Sequence, residues 1–489
     1  MRPYQISLSL KRLSMLSEKC SWEVAHRMSF ESLKSVKRIV VIGGVAAGMS
    51  AASKARILRS DIEILVFEKS GYISYGACGL PYLISDLIKS PEDLVAYDSK
   101  FFKEKRDIDV FLYHEVIAIY PAKQSVLVKN LKTGAQNEYQ YDKIVITTGA
   151  RAFVPPIKGI EIKGIFTVKT LQDGIETKDF IRKNDPRRAL IIGAGHIGME
   201  MAEALAMVGM DVTIVEREPN ILGTMDEEIT KIVEEGLIRN RVKLFKSTSV
   251  REFISKNGYV REAILDNSES ISADIVIVSI GMKPNSEIAG EAGIEIDHTG
   301  AIKVNQLMET NVPGIYSAGD CATAYHQVLE RQAYLPLGTT ANKQGKVAGE
   351  NMVGGNASFK GIVGTAVLKV FDLEVARTGI SEKDAQIEGF NFISNVVEQS
   401  SRAHYYPGGS NIRIKLIAQR NTGRILGAEM VGMEGVSKRI DVFATAIAAK
   451  MTVEDIGELD LSYAPPFAPV WDPILIAAND LKKKIRDQD

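Results

Sequence analysis

The sequence predicts an α/β protein: two doubly wound parallel units on one chain, followed by a smaller α+β module. Three observations carry this. A strand–glycine turn–helix pattern occurs at "KRIVVIGGVAAGMSAASKARIL" and returns at "RALIIGAGHIGMEMAEALAMVG". Each copy runs into a second apolar strand that ends in an acid. The last third of the chain changes texture, to alternating strand patterns and a hairpin signal.

In the first unit, the apolar run Ile39 to Ile42 is too short for a helix and too uniformly apolar for a half-exposed strand. It fits a buried parallel strand. Gly43, Gly44, the small Ala47 and Gly48 then make a tight turn into an Ala-rich helix. Such a turn brings backbone N–H groups and the positive end of a helix dipole to a pyrophosphate. Val45 stands where the second glycine of G-x-G-x-x-G is expected, so the backbone approaches the phosphates less closely there. The strand "IEILVFEK" ends in Glu68-Lys69, and Glu68 lies 25 residues after Gly43, near the spacing of a ribose-binding carboxylate.

The second copy has all three glycines, Gly193, Gly195 and Gly198, and its next strand leads into Glu216. Two such turns, each between strand and helix and each with its acid, predict two Rossmann-like dinucleotide-binding domains. Two further strands end in the loops Thr148-Gly149, in "YDKIVITTGA", and Gly319-Asp320, in "TNVPGIYSAGDCA". Asp320 beyond a strand's carboxyl end suits a sugar-like hydroxyl or a helix N-cap, or both.

The chain has 489 residues, 45% hydrophobic and 25% charged, with a net charge of −1. That length suits about three domains. Near-neutral charge predicts no nucleic-acid or anionic-membrane partner. No apolar run reaches the ~20 residues of a membrane span. Three cysteines, Cys20, Cys78 and Cys321, cannot form a disulfide framework, and their scarcity fits a reducing, cytoplasmic setting. No metal site is assigned. Residues 1–36, Ser-rich and mildly basic, read as a poorly ordered leader or an overcalled start with Met28 as an internal alternative; Cys20 within them is given no role.

In the last third, "GTAVLKVFDLEVARTG" and "IRIKLIAQRNTGRILGAEMVG" read as strands, with Asn421-Thr422-Gly423 as a hairpin turn. Helices are expected near 438–450 and 453–459. Cys78 sits in "ISYGACGLPY", where Pro81 marks the first turn of a helix. A helix dipole there would favour a thiolate. The usual role of a lone cysteine is a small core residue, but Gly76 and Gly79 leave this sulfur little cover. Cys321, next to Asp320, reads as packing. Tyr405 and Tyr406 in "SRAHYYPGG" and Tyr463 in "SYAPPFAPVWDP" read first as packing aromatics, although a phenol can also serve as an acid.

The two glycine turns, the Gly-Asp loop and the C-terminal module together resemble the pyridine nucleotide-disulfide oxidoreductases, over residues 37–489. The resemblance implies that the first turn and Glu68 bind FAD, that the second turn binds NAD(P)H, and that Asp320 holds the flavin's ribityl chain. It implies a FAD-binding domain in two parts, 37–152 and 282–355, with the NAD(P)-binding domain 153–281 inserted between them. "GMKPN" at Gly281 to Asn285 is then the return crossing, and 356–489 a dimerisation domain. With NAD(P)H on the second turn, Glu216 at its ribose position favours NADH, because a carboxylate repels a 2′-phosphate, with the adjacent Arg217 softening that repulsion enough for some NADPH use.

"SYGACGLPY", the single cysteine, "HYYPGG" and "YAPPFAPVWDP" narrow this to a likeness with the coenzyme A-disulfide reductases, the CoA-dependent NAD(P)H sulfur reductases and the flavin NADH oxidases. Here Tyr82 stands four residues beyond Cys78, where disulfide reductases usually carry a second cysteine. The likeness implies that Cys78 cycles between a thiolate and a mixed disulfide with CoA. Tyr405 and Tyr463, from the partner in a homodimer, act as acids. Ser74 and Arg106 match CoA-contacting positions; Lys54 and Asn342 lie in such segments with residue types that depart from the pattern. Some relatives carry a C-terminal rhodanese domain, and none is expected after "KKKIRDQD". The alternatives are an NADH oxidase or peroxidase working through a Cys78 sulfenic acid, and a flavoprotein that mainly binds or delivers electrons to a protein partner.

Overall fold

The structure is a computed structural model and describes residues 36–487; the leader, with Cys20 and Met28, lies outside the described residues. The first parallel sheet has five strands, in the order Ile315–Ser317, Lys143–Ile146, Arg38–Ile42, Glu63–Glu68 and Asp109–Leu112. Its central strands are buried on both faces, which is why they read as continuous apolar runs. Helix Ala46–Leu58 follows the first glycine turn and packs on helix Gly338–Met352. Their backbones nearly touch: a Cβ on Gly345 would lie 2.3 Å from the Ala47 carbonyl, and one on Gly349 2.3 Å from that of Ala51. This close crossing joins a segment after residue 315 to the first unit.

The second parallel sheet repeats the arrangement, in the order Lys243–Phe245, Asp211–Val215, Arg188–Ile192, Ile275–Val278 and Ile165–Phe166. The chain passes between the two sheets through a short antiparallel ribbon, Ala150–Ala152 against Met282–Pro284. Asn285 locks the ribbon. Its amide donates to the Thr148 carbonyl at 2.9 Å, and its backbone N–H donates to the Gly149 carbonyl at 2.9 Å.

The C-terminal module is a five-stranded antiparallel sheet whose central strand, Ile425–Gly432, is buried throughout. The Asn421-Thr422-Gly423 turn joins it to Asn411–Gln419 as expected, with Gly423 at φ +67°. The two expected helices form at Val436–Ala448 and Val453–Gly457. A third helix, Pro473–Arg486, was not foreseen, although Asp472 at its N-cap and Pro473 in its first turn are its sequence signals. One face of the sheet packs on these helices. The other meets the second nucleotide unit through a charged row, in which Glu429 lies opposite both Arg377 and Lys415 in the strand register.

Lys415 is 1% exposed and its ammonium lies 3.2 Å from Asp226, 2.8 Å from Glu228 and 3.0 Å from Glu382. Burial opposes its charge, but the hydrogen bonds to Glu228 and Glu382 outweigh that and hold its pKa above the ordinary value. Asp226 starts the helix Glu227–Arg239, so the cluster clamps the nucleotide unit to the sheet. Glu429 accepts the Asp226 N–H at 2.8 Å, and burial, then the Asp226 charge, push its carboxyl up to about 8.

Candidate functional site

Both glycine turns have the geometry of a phosphate cradle. A Cβ on Gly48 would lie 1.9 Å from the Gly43 carbonyl, and one on Gly198 2.1 Å from that of Gly193, so these glycines are required for the helix to close on its strand. Neither following helix, Ala46–Leu58 or His196–Met207, has a side-chain cap or an acid in its first turn. Their first N–H groups are therefore left for a ligand. A Cβ on Gly195 would meet nothing within 4 Å, so packing does not demand glycine there; in the first turn that place holds Val45.

The two acids sit alike. Glu68 accepts the Gly44 N–H at 2.8 Å and the Ser70 N–H at 2.8 Å. Glu216 accepts the Ala194 N–H at 2.7 Å and the Glu218 N–H at 2.8 Å. Each carboxylate is thus oriented onto its own turn. Arg217 pairs with Glu218 at 3.0 Å and is exposed. Lys69 is exposed. Gly149, at φ +66°, has open space beside its α-carbon.

Asp320 begins no helix, which removes the N-cap reading. Its carboxylate takes the Lys169 ammonium at 2.7 Å, a partner 151 residues away that sequence spacing could not reveal. Gly319 before it donates to Gln344 at 2.9 Å, and Gln344 in turn donates to the Thr323 carbonyl at 2.8 Å. The loop is therefore fixed on helix Gly338–Met352. Cys321 is fully buried with its sulfur near the Ile146 carbonyl at 3.4 Å, in agreement with a packing role.

The Cys78 loop leans on the first cradle. Ser74, at φ +48°, donates its N–H to the Gly44 carbonyl at 3.0 Å, and Gly76 donates to the Leu94 carbonyl at 2.9 Å. A Cβ on Gly79 would lie 2.3 Å from a terminal methyl of Leu94 and require that side chain to shift, whereas Gly76 has room. Cys78 itself is exposed and is not disulfide-bonded. It lies in a 3₁₀ turn, Ala77–Gly79, ahead of a helix of only five residues, Leu80–Ile84.

The expected thiolate stabilisation by a helix dipole is not what the site produces. Burial of the thiol's inner side, then the Glu200 charge, push the Cys78 pKa up, while Lys169 pulls it down. Tyr82, four residues beyond Cys78, is half-buried, with its phenol raised by burial, Glu200, Glu203 and Cys78 in that order.

Glu200, on the second glycine-turn helix, was not singled out in the sequence. Burial, then Glu203, push its carboxyl up to about 7. Its charge therefore appears as pH rises through neutrality, and that charge opposes thiolate formation at Cys78. Glu200→Gln is expected to lower the pH at which Cys78 is half-alkylated by iodoacetamide. An unshifted alkylation profile would show that Glu200 does not set the thiol.

Tyr405 and Tyr463 come together on two loops of the C-terminal module, hydroxyl to hydroxyl at 2.8 Å. That bond holds the Tyr463 phenol above its ordinary value. They are 62% and 44% exposed, and no hydrogen bond among the described residues joins either to Cys78. Arg106, at the end of helix Ser99–Arg106, has no side-chain partner among the described residues. Lys54 pairs with Glu350 at 2.9 Å, and Asn342 bonds Ser50 and the Gly338 carbonyl, so these two are less free than expected.

Two dinucleotide cradles, a lone accessible thiol seated between them and a C-terminal antiparallel sheet define a two-nucleotide redox protein. The chain belongs to the pyridine nucleotide-disulphide oxidoreductase family, which matches residues 37–345, with that family's dimerisation domain at 365–473. It is 38% identical over 447 residues to an NAD(P)H coenzyme A polysulfide/persulfide reductase of Pyrococcus horikoshii, covering 91% of this chain and 98% of that one. It is 33% identical to a coenzyme A disulfide reductase of Staphylococcus haemolyticus, over 92% of this chain and all (100%) of that one. The structure of a NAD-dependent persulfide reductase from A. fulgidus superposes with a TM-score of 0.89 at 39% identity, covering 92% of this chain and 84% of that one. No described helix is long and apolar enough to cross a membrane.

Proposed function

We propose that the protein is an FAD-dependent NAD(P)H oxidoreductase that reduces CoA disulfide, CoA persulfide or polysulfide through Cys78 alone. The observation that carries this is the exposed, unpaired thiol leaning on the first cradle, with a phenol, Tyr82, where a second cysteine would stand. The relatives named above act on such substrates. A chain without a resolving cysteine needs its second sulfur from the substrate.

FAD fits the first cradle, held by Gly43, Gly44, Ala47, Gly48, Glu68, Lys69, Thr148, Gly149, Gly319 and Asp320. Gly193, Gly195, Gly198 and Glu216 hold the nicotinamide dinucleotide, and the orientation of Glu216 onto its turn favours NADH. Ser74 and Arg106 contact CoA, the unpaired guanidinium of Arg106 suiting a phosphate. Lys54 and Asn342 contribute only by exchanging their present partners.

The Cys78 thiolate attacks one sulfur of CoA disulfide, forms a mixed disulfide and expels a CoA thiolate, which Tyr463 protonates. When bound, the flavin supplies two electrons from the reduced nicotinamide, and these return the mixed disulfide to Cys78 thiolate and a second CoA. Tyr463, kept protonated by its bond to Tyr405, regains its proton from solvent. The tyrosines reach the sulfur of a second copy of the chain. The surrounding face is apolar and open, with Phe467 77% and Trp471 61% exposed, as a dimer interface requires. The setting is cytoplasmic.

Mass spectrometry of the purified, unreduced protein tests this. A CoA adduct on Cys78 is the expected result. A sulfenic acid there, with NADH oxidation by oxygen outpacing CoA disulfide reduction, would transfer the assignment to an NADH oxidase.

A further inference from the structure

The two tyrosines stand on separate loops, 401–410 and 463–471, and neither hydroxyl has another hydrogen-bond partner among the described residues. Beyond the bond between them and the edge-on contact of the Tyr405 ring with His404, centroids 5.2 Å apart, the loops' backbones determine where the phenols stand. Neither loop is a regular element, so something outside them must hold both in register.

Arg439 occupies that position. It lies on helix Val436–Ala448 and is 9% exposed. Its Nη2 donates to the Ser401 carbonyl at 3.1 Å, at the start of the first loop, and to the Phe467 carbonyl at 3.2 Å, within the second. Its Nε donates to Asp472 at 3.0 Å, and its Nη1 to the Gly435 carbonyl at 3.1 Å. Asp472, also buried, neutralises the guanidinium and accepts the Ile474 N–H at 2.9 Å, capping helix Pro473–Arg486. One planar group thus joins both tyrosine loops to two helices. A lysine would not reproduce this, because its three donors radiate from one atom, whereas the four acceptors here are met by three separate nitrogens of the guanidinium fork. A weaker cross-link runs parallel: the Ala403 N–H donates to the Pro465 carbonyl at 3.3 Å.

We infer that Arg439 is a positioning residue for the Tyr405–Tyr463 acid pair, holding the two loops so that the hydroxyls stay in contact and one proton is presented to the departing thiolate. The inference rests on the acid role proposed for the tyrosines. It predicts coupling: displacing the loops and deleting the Tyr463 hydroxyl remove the same thing.

The test uses the FAD-loaded dimer and NADH-dependent reduction of CoA disulfide. Arg439→Lys is expected to lower kcat by about ten- to a hundredfold, the range for a misplaced catalytic group. Bound FAD, dimer mass and KM for NADH are expected to stay unchanged. The alkaline limb of the kcat–pH profile moves down, because Tyr463 loses the bond that holds its phenol up. The double variant Arg439→Lys/Tyr463→Phe is expected to be no slower than Tyr463→Phe alone. A merely structural arginine would instead leave the pH limb in place and give losses that multiply, and that result overturns the inference. Wild-type kcat in Arg439→Lys overturns it while leaving the acid role intact, provided Tyr463→Phe is slow. An unimpaired Tyr463→Phe overturns both. If Arg439→Lys does not fold, Asp472→Asn reads the same coupling, since Asn can still cap the helix but leaves the guanidinium unneutralised; full turnover in that variant also overturns the inference.

Discussion

Cys78→Ser retains bound FAD and loses reduction of CoA disulfide and polysulfide by at least about a thousandfold, the scale for removing a nucleophile. The two effects separate because the residues that form the first cradle are not those that carry the sulfur. The Cys78 loop touches the cradle through backbone, by the Ser74 N–H on the Gly44 carbonyl, and a serine leaves that bond in place. A hydroxyl, however, forms no mixed disulfide with CoA. Flavin absorbance of the purified variant and NADH consumption with CoA disulfide measure the two quantities together. Turnover within tenfold of the native rate would remove Cys78 from the reaction.

Lys415→Met destabilises the protein by about 3 kcal/mol, the low end of the cost of removing one partner from a buried charge cluster, because Glu228 and Glu382 are partly solvated. Methionine keeps much of the stem but removes the ammonium that contacts Asp226, Glu228 and Glu382 together. The nearby Glu429, pushed up to about 8 by burial and then by Asp226, adds no relief. The loss falls where the second nucleotide unit docks on the C-terminal sheet. The urea midpoint of the FAD-loaded dimer, at fixed protein concentration, reads it directly. An unchanged midpoint would mean that the cluster is solvated enough for water to replace the ammonium.

Most of the architecture was legible before folding. Buried parallel strands have to be short apolar runs, and a phosphate turn has to be glycine-rich, so Ile39 to Ile42, Gly43 and Gly193 announce themselves locally. The Asn421-Thr422-Gly423 hairpin is equally local. The helix Pro473–Arg486 was readable from Asp472 and Pro473 but was overshadowed by the basic tail. The site was legible only in part. Glu68 and Glu216 bond their own turns as the shared pattern expects, and Cys78 is exposed. What the sequence did not reveal is that the helix after Cys78 has only five residues and that burial and the Glu200 charge raise the thiol's pKa.

By itself the sequence determined the two nucleotide units, their acids, the single accessible cysteine and the proline-rich loops that carry the tyrosines. These depend on residue type and on spacing within about 30 positions, which backbone geometry converts directly into shape. Only the tertiary structure decided which charges meet: Lys169 with Asp320, Lys415 among three carboxylates, and Arg439 between the two tyrosine loops. Such contacts are set by how sheets and helices stack, and no local period encodes the distance between elements far apart in the chain.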